Sequence, residues 1–86
     1  MTTLDRVRQH IIDTCYLSDP GELTDDTSLI ETGIVDSTGM LDVILFVEDE
    51  FGIAVSDRET TPDNFETISR IAAYVDRKRE SVAVQA

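Results

Sequence analysis

The stretch Gly33-Ile34-Val35-Asp36-Ser37-Thr38-Gly39-Met40-Leu41-Asp42 decides how this chain is read. A loop gives way there to a helical pattern that closes on Glu48-Asp49-Glu50-Phe51-Gly52-Ile53. Ser37 therefore sits where a loop becomes a helix. A helix N-terminus carries unpaired N–H groups and the positive end of the macrodipole, so it favours a phosphate. A hydroxyl at that point is well placed to carry a phosphodiester. Taken alone, Asp36-Ser37 also reads as a plain helix cap, because either side chain can accept a hydrogen bond from the first turn.

The helix that follows is two-faced. Met40, Val43, Ile44, Val47 and Phe51 recur at helical spacing and should pack inward. At about 100° per residue, Thr38, Asp42, Leu45 and Asp49 fall together on the opposite side. Leu41 and Glu48 flank them. Leu45 set among acids reads either as an ordinary exposed apolar residue or as a contact for a partner's apolar pocket. Gly52 should stop the helix.

Upstream, Thr2 or Thr3 can cap a first helix running to about Tyr16 or Leu17, with Leu4, Val7, Ile11, Ile12 and Cys15 on its apolar stripe. Arg6 and His10 fall off that stripe, which makes His10 a solvated helix residue. Ser18-Asp19-Pro20-Gly21 ends the helix. The connection from Glu22 to Asp36 is long for a compact domain and should be pinned to the core through Leu23, Leu29, Ile30, Ile34 and Val35. Downstream, Ile53-Ala54-Val55 reads as an extended link. Ser56-Asp57-Arg58-Glu59 starts a brief helical turn, and Asp63-Asn64-Phe65 forms another turn with Phe65 buried. Thr67 caps a last helix from Ile68 to about Arg79, with Ile68, Ile71, Ala72 and Val75 facing the core. Arg77, Lys78 and Arg79 then lie at its C-terminus, where cations suit the dipole.

The expected fold is all-α: a small antiparallel bundle of three main helices plus one short helix, with a long loop between the first and second. Residues 1–80 form one domain and 81–86 a flexible tail. Eighty-six residues bury only about 60–65% of their unfolded surface, which leaves one modest, mainly aliphatic core and no room for a deep catalytic cleft.

Charge narrows the function further. The formal net charge is −11, and no Lys or Arg occurs from Gln9 to Asp57. Asp13, Asp19, Glu22, Asp25, Asp26, Glu31, Asp36, Asp42, Glu48, Asp49, Glu50 and Asp57 all fall in that span. Such a surface repels nucleic acid and anionic membrane and attracts proteins with basic patches. Cys15 is the single cysteine, so no intrachain disulfide forms, and its place on an apolar stripe makes it a buried thiol. Neither a signal peptide nor an apolar run of about 20 residues is present, which predicts a cytoplasmic protein. Zinc spacing, a calcium loop and a Gly-rich phosphate loop are all missing, so no metal site is expected. A Ser-His-Asp triad requires the fold to bring His10 to Ser37, which the helical pattern does not predict. The chain does not read as an enzyme.

The segment Leu29-Ile30-Glu31-Thr32-Gly33-Ile34-Val35-Asp36-Ser37, with the helix ending Phe46-Val47-Glu48-Asp49-Glu50-Phe51-Gly52-Ile53, resembles the acyl carrier protein family. The resemblance runs from about Leu4 to Val75 and includes the Phe65-Glu66-Thr67-Ile68 entry to the last helix. It implies that a phosphopantetheinyl transferase attaches 4′-phosphopantetheine from coenzyme A to Ser37, with Asp36 beside it. The arm's thiol then holds an acyl or aminoacyl group as a thioester. A tethered cargo visits successive active sites at high effective concentration, which suits fatty-acid, polyketide or nonribosomal-type biosynthesis. The family's second helix is its main recognition element. That assigns partner contact to Thr38, Gly39, Leu41, Asp42, Leu45, Glu48 and Asp49, and implies a monomer that meets a loading ligase and synthase or transferase enzymes through their basic patches. Two positions depart from the family pattern: Thr38 stands where leucine is usual, and Gly39 where fatty-acid carriers commonly have an acid. Asp-Ser-Thr-Gly is similar to discrete carriers that serve specialised acyl or aminoacyl ligases. The competing reading is an unmodified acidic adaptor that binds a basic protein and needs no arm.

Overall fold

The first helix, α1, spans Thr3–Thr14 in the computed structural model, which describes residues 2–14, 21 and 23–85, with 81–85 as backbone only. Its start is fixed locally. The Thr2 hydroxyl accepts the Asp5 N–H at 3.1 Å, and the Asp5 carboxylate accepts the Thr2 N–H at 3.3 Å. Hydrogen bonding from the Thr2 N–H first, and then from its hydroxyl, holds the Asp5 carboxyl below the usual carboxylate range, and the reciprocal pair answers which threonine caps the helix: Thr2. The expected helix end at Tyr16 or Leu17, the turn through Ser18, Asp19 and Pro20, and the burial of Cys15 lie outside the described residues.

Helix α2 spans Ser37–Phe51, α3 is the short helix Pro62–Phe65, and α4 spans Ile68–Gln85, with a 3₁₀ turn at Asp57–Glu59. No strand occurs among the described residues. The all-α reading with three long helices and one short one is therefore borne out. Helix α4 is longer than the sequence predicts, running to Gln85 instead of stopping near Arg79. Nothing in Arg79-Glu80-Ser81-Val82-Ala83 breaks a helix, since neither glycine nor proline intervenes. As a consequence Arg77, Lys78 and Arg79 are mid-helix residues and do not serve the C-terminal dipole. Arg77 donates to Asn64 Oδ1 at 3.0 Å, Lys78 pairs with Glu59 at 3.1 Å, and Arg79 lies 5.7 Å over the Phe51 ring. They tie α4 to the 3₁₀ turn, α3 and the end of α2.

The core is aliphatic at its centre. Val7 and Ile11 from α1, Val43, Ile44 and Val47 from α2, and Ile68, Ile71 and Val75 from α4 are all buried. Full burial of such a side chain contributes roughly 1.5–3 kcal/mol, which makes this stripe the main source of helix pairing. Leu4, Ile12, Met40 and Phe51 are only partly buried at its margin. Tyr74, which the periodicity did not single out, is 2% exposed and packs its ring 5.2 Å from that of Phe65. Two glycines supply backbone turns that other residues resist. Gly52 closes α2 at φ 66°, returning its N–H to Glu48, and Gly33 turns the long loop at φ 76°, returning its N–H to Ile30.

That long loop is pinned as expected, with one exception. Leu23, Leu29 and Val35 are buried, and Ile34 packs partly against the core. Backbone bonds reinforce them: Leu29 N–H to Glu66 O at 2.9 Å, Val35 N–H to Leu29 O at 2.9 Å and Ser69 N–H to Asp25 O at 3.0 Å. Arg8 donates to Leu23 O at 2.7 Å and pairs with Asp25. The exception is Ile30, which is 49% exposed. Its neighbour Leu29 takes the inward place at 0% exposure.

Candidate functional site

The loop delivers its chain to α2 at Asp36, whose extended backbone (φ −94°, ψ −175°) marks the N-cap. The Asp36 side chain accepts the Gly39 N–H at 2.7 Å, and the Met40 N–H returns to Asp36 O at 2.8 Å. Of the two residues that the sequence allows as a cap, Asp36 is the one that serves. The third residue of the turn, Gly39, is closely packed: a Cβ there would come within 3.2 Å of the Asp36 carboxylate and 3.3 Å of Val35.

With Asp36 taking the capping duty, Ser37 is released from it. Ser37 is the first residue of α2 and is exposed. Among the described residues no group engages its hydroxyl, and the N–H groups of Ser37 and Thr38 remain open donors at the positive end of a 15-residue helix. A phosphate ester on Ser37 fits this position, since it meets open N–H groups and displaces no existing bond. Among the described residues no base touches the Ser37 hydroxyl.

His10 and Asp42 do come together, which the sequence did not predict. His10 is not a solvated helix residue: its side chain is 16% exposed and its ring stacks on Phe46 with centroids 3.9 Å apart and planes 10° apart. His10 Nε2 lies 2.9 Å from Asp42 Oδ2. The helical wheel missed this because it treats histidine as polar, whereas an imidazole face is apolar enough to cover a phenyl ring. The pair does not make a triad with Ser37. Asp42, against which Nε2 is held, is five residues beyond Ser37, roughly 7.5 Å along the helix axis, and neither His10 nor Asp42 hydrogen-bonds to the serine.

The rest of the predicted outer face divides. Leu41 and Leu45 are 62% and 63% exposed, and Thr38, Asp42 and Asp49 are exposed too. Gly39 is half-buried against its cap. Glu48 is also half-buried, and its carboxylate accepts the Val55 N–H at 3.0 Å, so it anchors the link after α2. Beside the start of α2 lies a groove of about 350 Å³ lined by Ser28, Ile30, Glu31, Met40, Thr60, Thr61, Pro62, Phe65 and Glu66. Ile30, expected in the core, forms part of its wall. No periodicity or motif signals this groove, because its walls come from three separate segments. Among the described residues no group of three or more His, Cys, Asp or Glu side chains is placed to hold a metal ion, and no helix is long and apolar enough to cross a membrane.

A pinned loop, a capped helix start and an open serine on a small helical domain are the features that a comparison with known proteins has to account for. The family model described as the phosphopantetheine attachment site matches residues 5–75, and the chain belongs to that family. Two relatives agree. The D-alanyl carrier protein of Abiotrophia defectiva is 32% identical over 53 residues, covering 62% of this chain and 67% of the relative. A probable acyl carrier protein, PigG, of a Serratia strain is 34% identical over 55 residues, covering 64% of this chain and 63% of that one. Among solved structures, a chain from a structure described as an FAD-dependent dehydrogenase superposes with a TM-score of 0.71 at 25% identity, over 80% of this chain and 97% of that chain. The protein is thus a carrier whose prosthetic group is 4′-phosphopantetheine.

Proposed function

We propose that Ser37 is the residue that carries the 4′-phosphopantetheine arm, and that α2 is the face on which partner enzymes dock. The observation that carries this reading is the exposed Ser37 hydroxyl, unpartnered among the described residues, at a helix N-terminus that Asp36 already caps. Asp36 holds the first turn rigid by accepting the Gly39 N–H. The open Ser37 and Thr38 N–H groups favour the phosphate once it is attached. The bound arm supplies a terminal thiol that holds acyl or aminoacyl cargo as a thioester. Leu41 and Leu45 offer apolar contact one and two turns beyond the serine, and Asp42 and Asp49 supply the charge that orients approach. The partners on this reading are a phosphopantetheinyl transferase, a loading ligase, and enzymes that act on the cargo.

The cargo is an acyl or aminoacyl group of specialised metabolism. Three things support that reading: the Thr38-Gly39 departure from the housekeeping pattern, the relative described as a D-alanyl carrier, and the likeness to a chain from a structure described as an FAD-dependent dehydrogenase. The last supports presentation of cargo to a flavin-dependent oxidising enzyme.

The test is direct. Incubation with coenzyme A and a broad-specificity phosphopantetheinyl transferase should add one arm to the protein by intact mass. Ser37→Ala should take up none and melt within about 2 °C of wild type, because the side chain is exposed and another residue caps the helix. A folded wild type that gains no mass, or a Ser37→Ala variant that does, would sink the assignment.

A further inference from the structure

The contact between His10, Phe46 and Asp42 lies away from the serine, on the side of α2 that meets α1. Parallel stacking on Phe46 gives the imidazole one orientation, and an edge-on contact between Phe46 and Phe51, with centroids 6.0 Å apart, braces the stack in turn. An ionised carboxylate only accepts, so the imidazole donates its Nε2–H to Asp42 Oδ2 at 2.9 Å. The Asp42 side chain nonetheless remains 57% exposed. One of its oxygens is held from behind while the group still faces solvent.

The other acids of α2 are placed differently. Glu50 pairs with Arg6 at 3.2 Å and Glu48 holds the Val55 N–H. Asp49 is exposed, with no partner among the described residues. Asp42 and Glu50 are thus both exposed and held from α1, but Glu50, 42% exposed, has its charge met by Arg6 near the far end of α2, whereas Asp42, 57% exposed, is the held carboxylate beside the exposed leucines. It lies one turn beyond Thr38 and next to Leu41 and Leu45.

We propose that His10 is a positioning residue for partner docking: it aims the free oxygen of Asp42 at a cation of the incoming enzyme. This rests on the reading of Ser37 as the attachment point and α2 as the docking face. A side chain already held in its bound direction loses less rotamer freedom on association. The effect belongs to encounter and binding, and not to the chemical step.

Phosphopantetheine transfer from coenzyme A, followed by intact mass, separates these contributions. His10→Phe keeps a ring to stack on Phe46 and removes the hydrogen bond. The measurement compares wild type, His10→Phe, Asp42→Asn and the double variant, with the melting temperature of each. His10→Phe and Asp42→Asn should each raise KM for the carrier about three- to fivefold at unchanged kcat. The double variant should match Asp42→Asn alone, because aim is irrelevant once the charge is gone. If His10→Phe melts well below wild type, His10→Gln, which keeps an N–H donor, is compared below its own melting temperature and should retain near-native KM. A folded His10→Phe with wild-type KM, or effects that multiply in the double variant, overturns the proposal alone. A wild type that takes up no arm overturns the Ser37 reading and this inference together.

Discussion

Asp36 and Ser37 divide between them the two duties that a helix start can impose on adjacent polar residues. Asp36 accepts the Gly39 N–H at 2.7 Å, and that leaves the Ser37 hydroxyl open. Removing the cap should cost about 1 kcal/mol. Asp36→Ala is therefore expected to lower the melting temperature by about 4–8 °C, measured by circular dichroism. An unchanged melting point would mean that Asp36 serves the arm or a partner and not the helix. Gly39 belongs to the same unit, since a side chain there would press on both Asp36 and Val35. A side chain at this position is accommodated only if Asp36 and Val35 yield by a few tenths of an ångström.

Helix α2 shows how far an element's pattern alone can be trusted. Its inward stripe of Val43, Ile44 and Val47 is buried and its outward leucines are exposed, both as periodicity requires. Within the outer face, however, the carboxylates are unequal. Glu48 and Glu50 spend theirs on Val55 and Arg6, Asp42 is held by His10, and Asp49 extends into solvent. Leu45→Arg tests the face itself. At 63% exposure the substitution should shift the melting temperature by no more than about 2 °C. It should nevertheless slow phosphopantetheine transfer severalfold, as a charge placed in an apolar contact does. A large loss of stability instead would place Leu45 in a packing role.

At the scale of the whole molecule, the α3–α4 end is braced by a cluster that spans distant segments. Lys78 pairs with Glu59 and holds that carboxyl below its ordinary range, with the Ser56 hydrogen bonds adding to it. Tyr74 lies beneath them. Burial first, and then the Glu59 charge, push its phenol up to about 12. An unfolded tyrosine ionises near pH 10. Between about pH 10 and 12 the unfolded chain therefore gives up a proton that the folded protein keeps. Stability contributed by Tyr74 is full below pH 10 and is lost as pH rises through that window. Melting curves should fall across it for wild type and fall less steeply for Tyr74→Phe. Parallel pH profiles would show that Tyr74 ionises equally well in the folded state.

Much of this was legible in the sequence because it depends on neighbours three or four residues apart. The all-α class, the N-cap ahead of Ser37, the glycine stop at Gly52, the burial of Leu29, Val35 and Phe65, and the resemblance to acyl carriers all rest on local spacing or local turn chemistry. What the sequence misplaced was long-range. Ile30 turned outward while Leu29 filled the inward place. His10 found Phe46 and Asp42 across the α1–α2 interface, and Arg77, Lys78 and Arg79 became cross-links because α4 continued past them. Periodicity fixes which face of a helix is apolar; only packing decides what stands opposite it. The position of Ser37 was thus determined by the sequence itself, whereas the direction in which Asp42 points was decided by a ring from another helix.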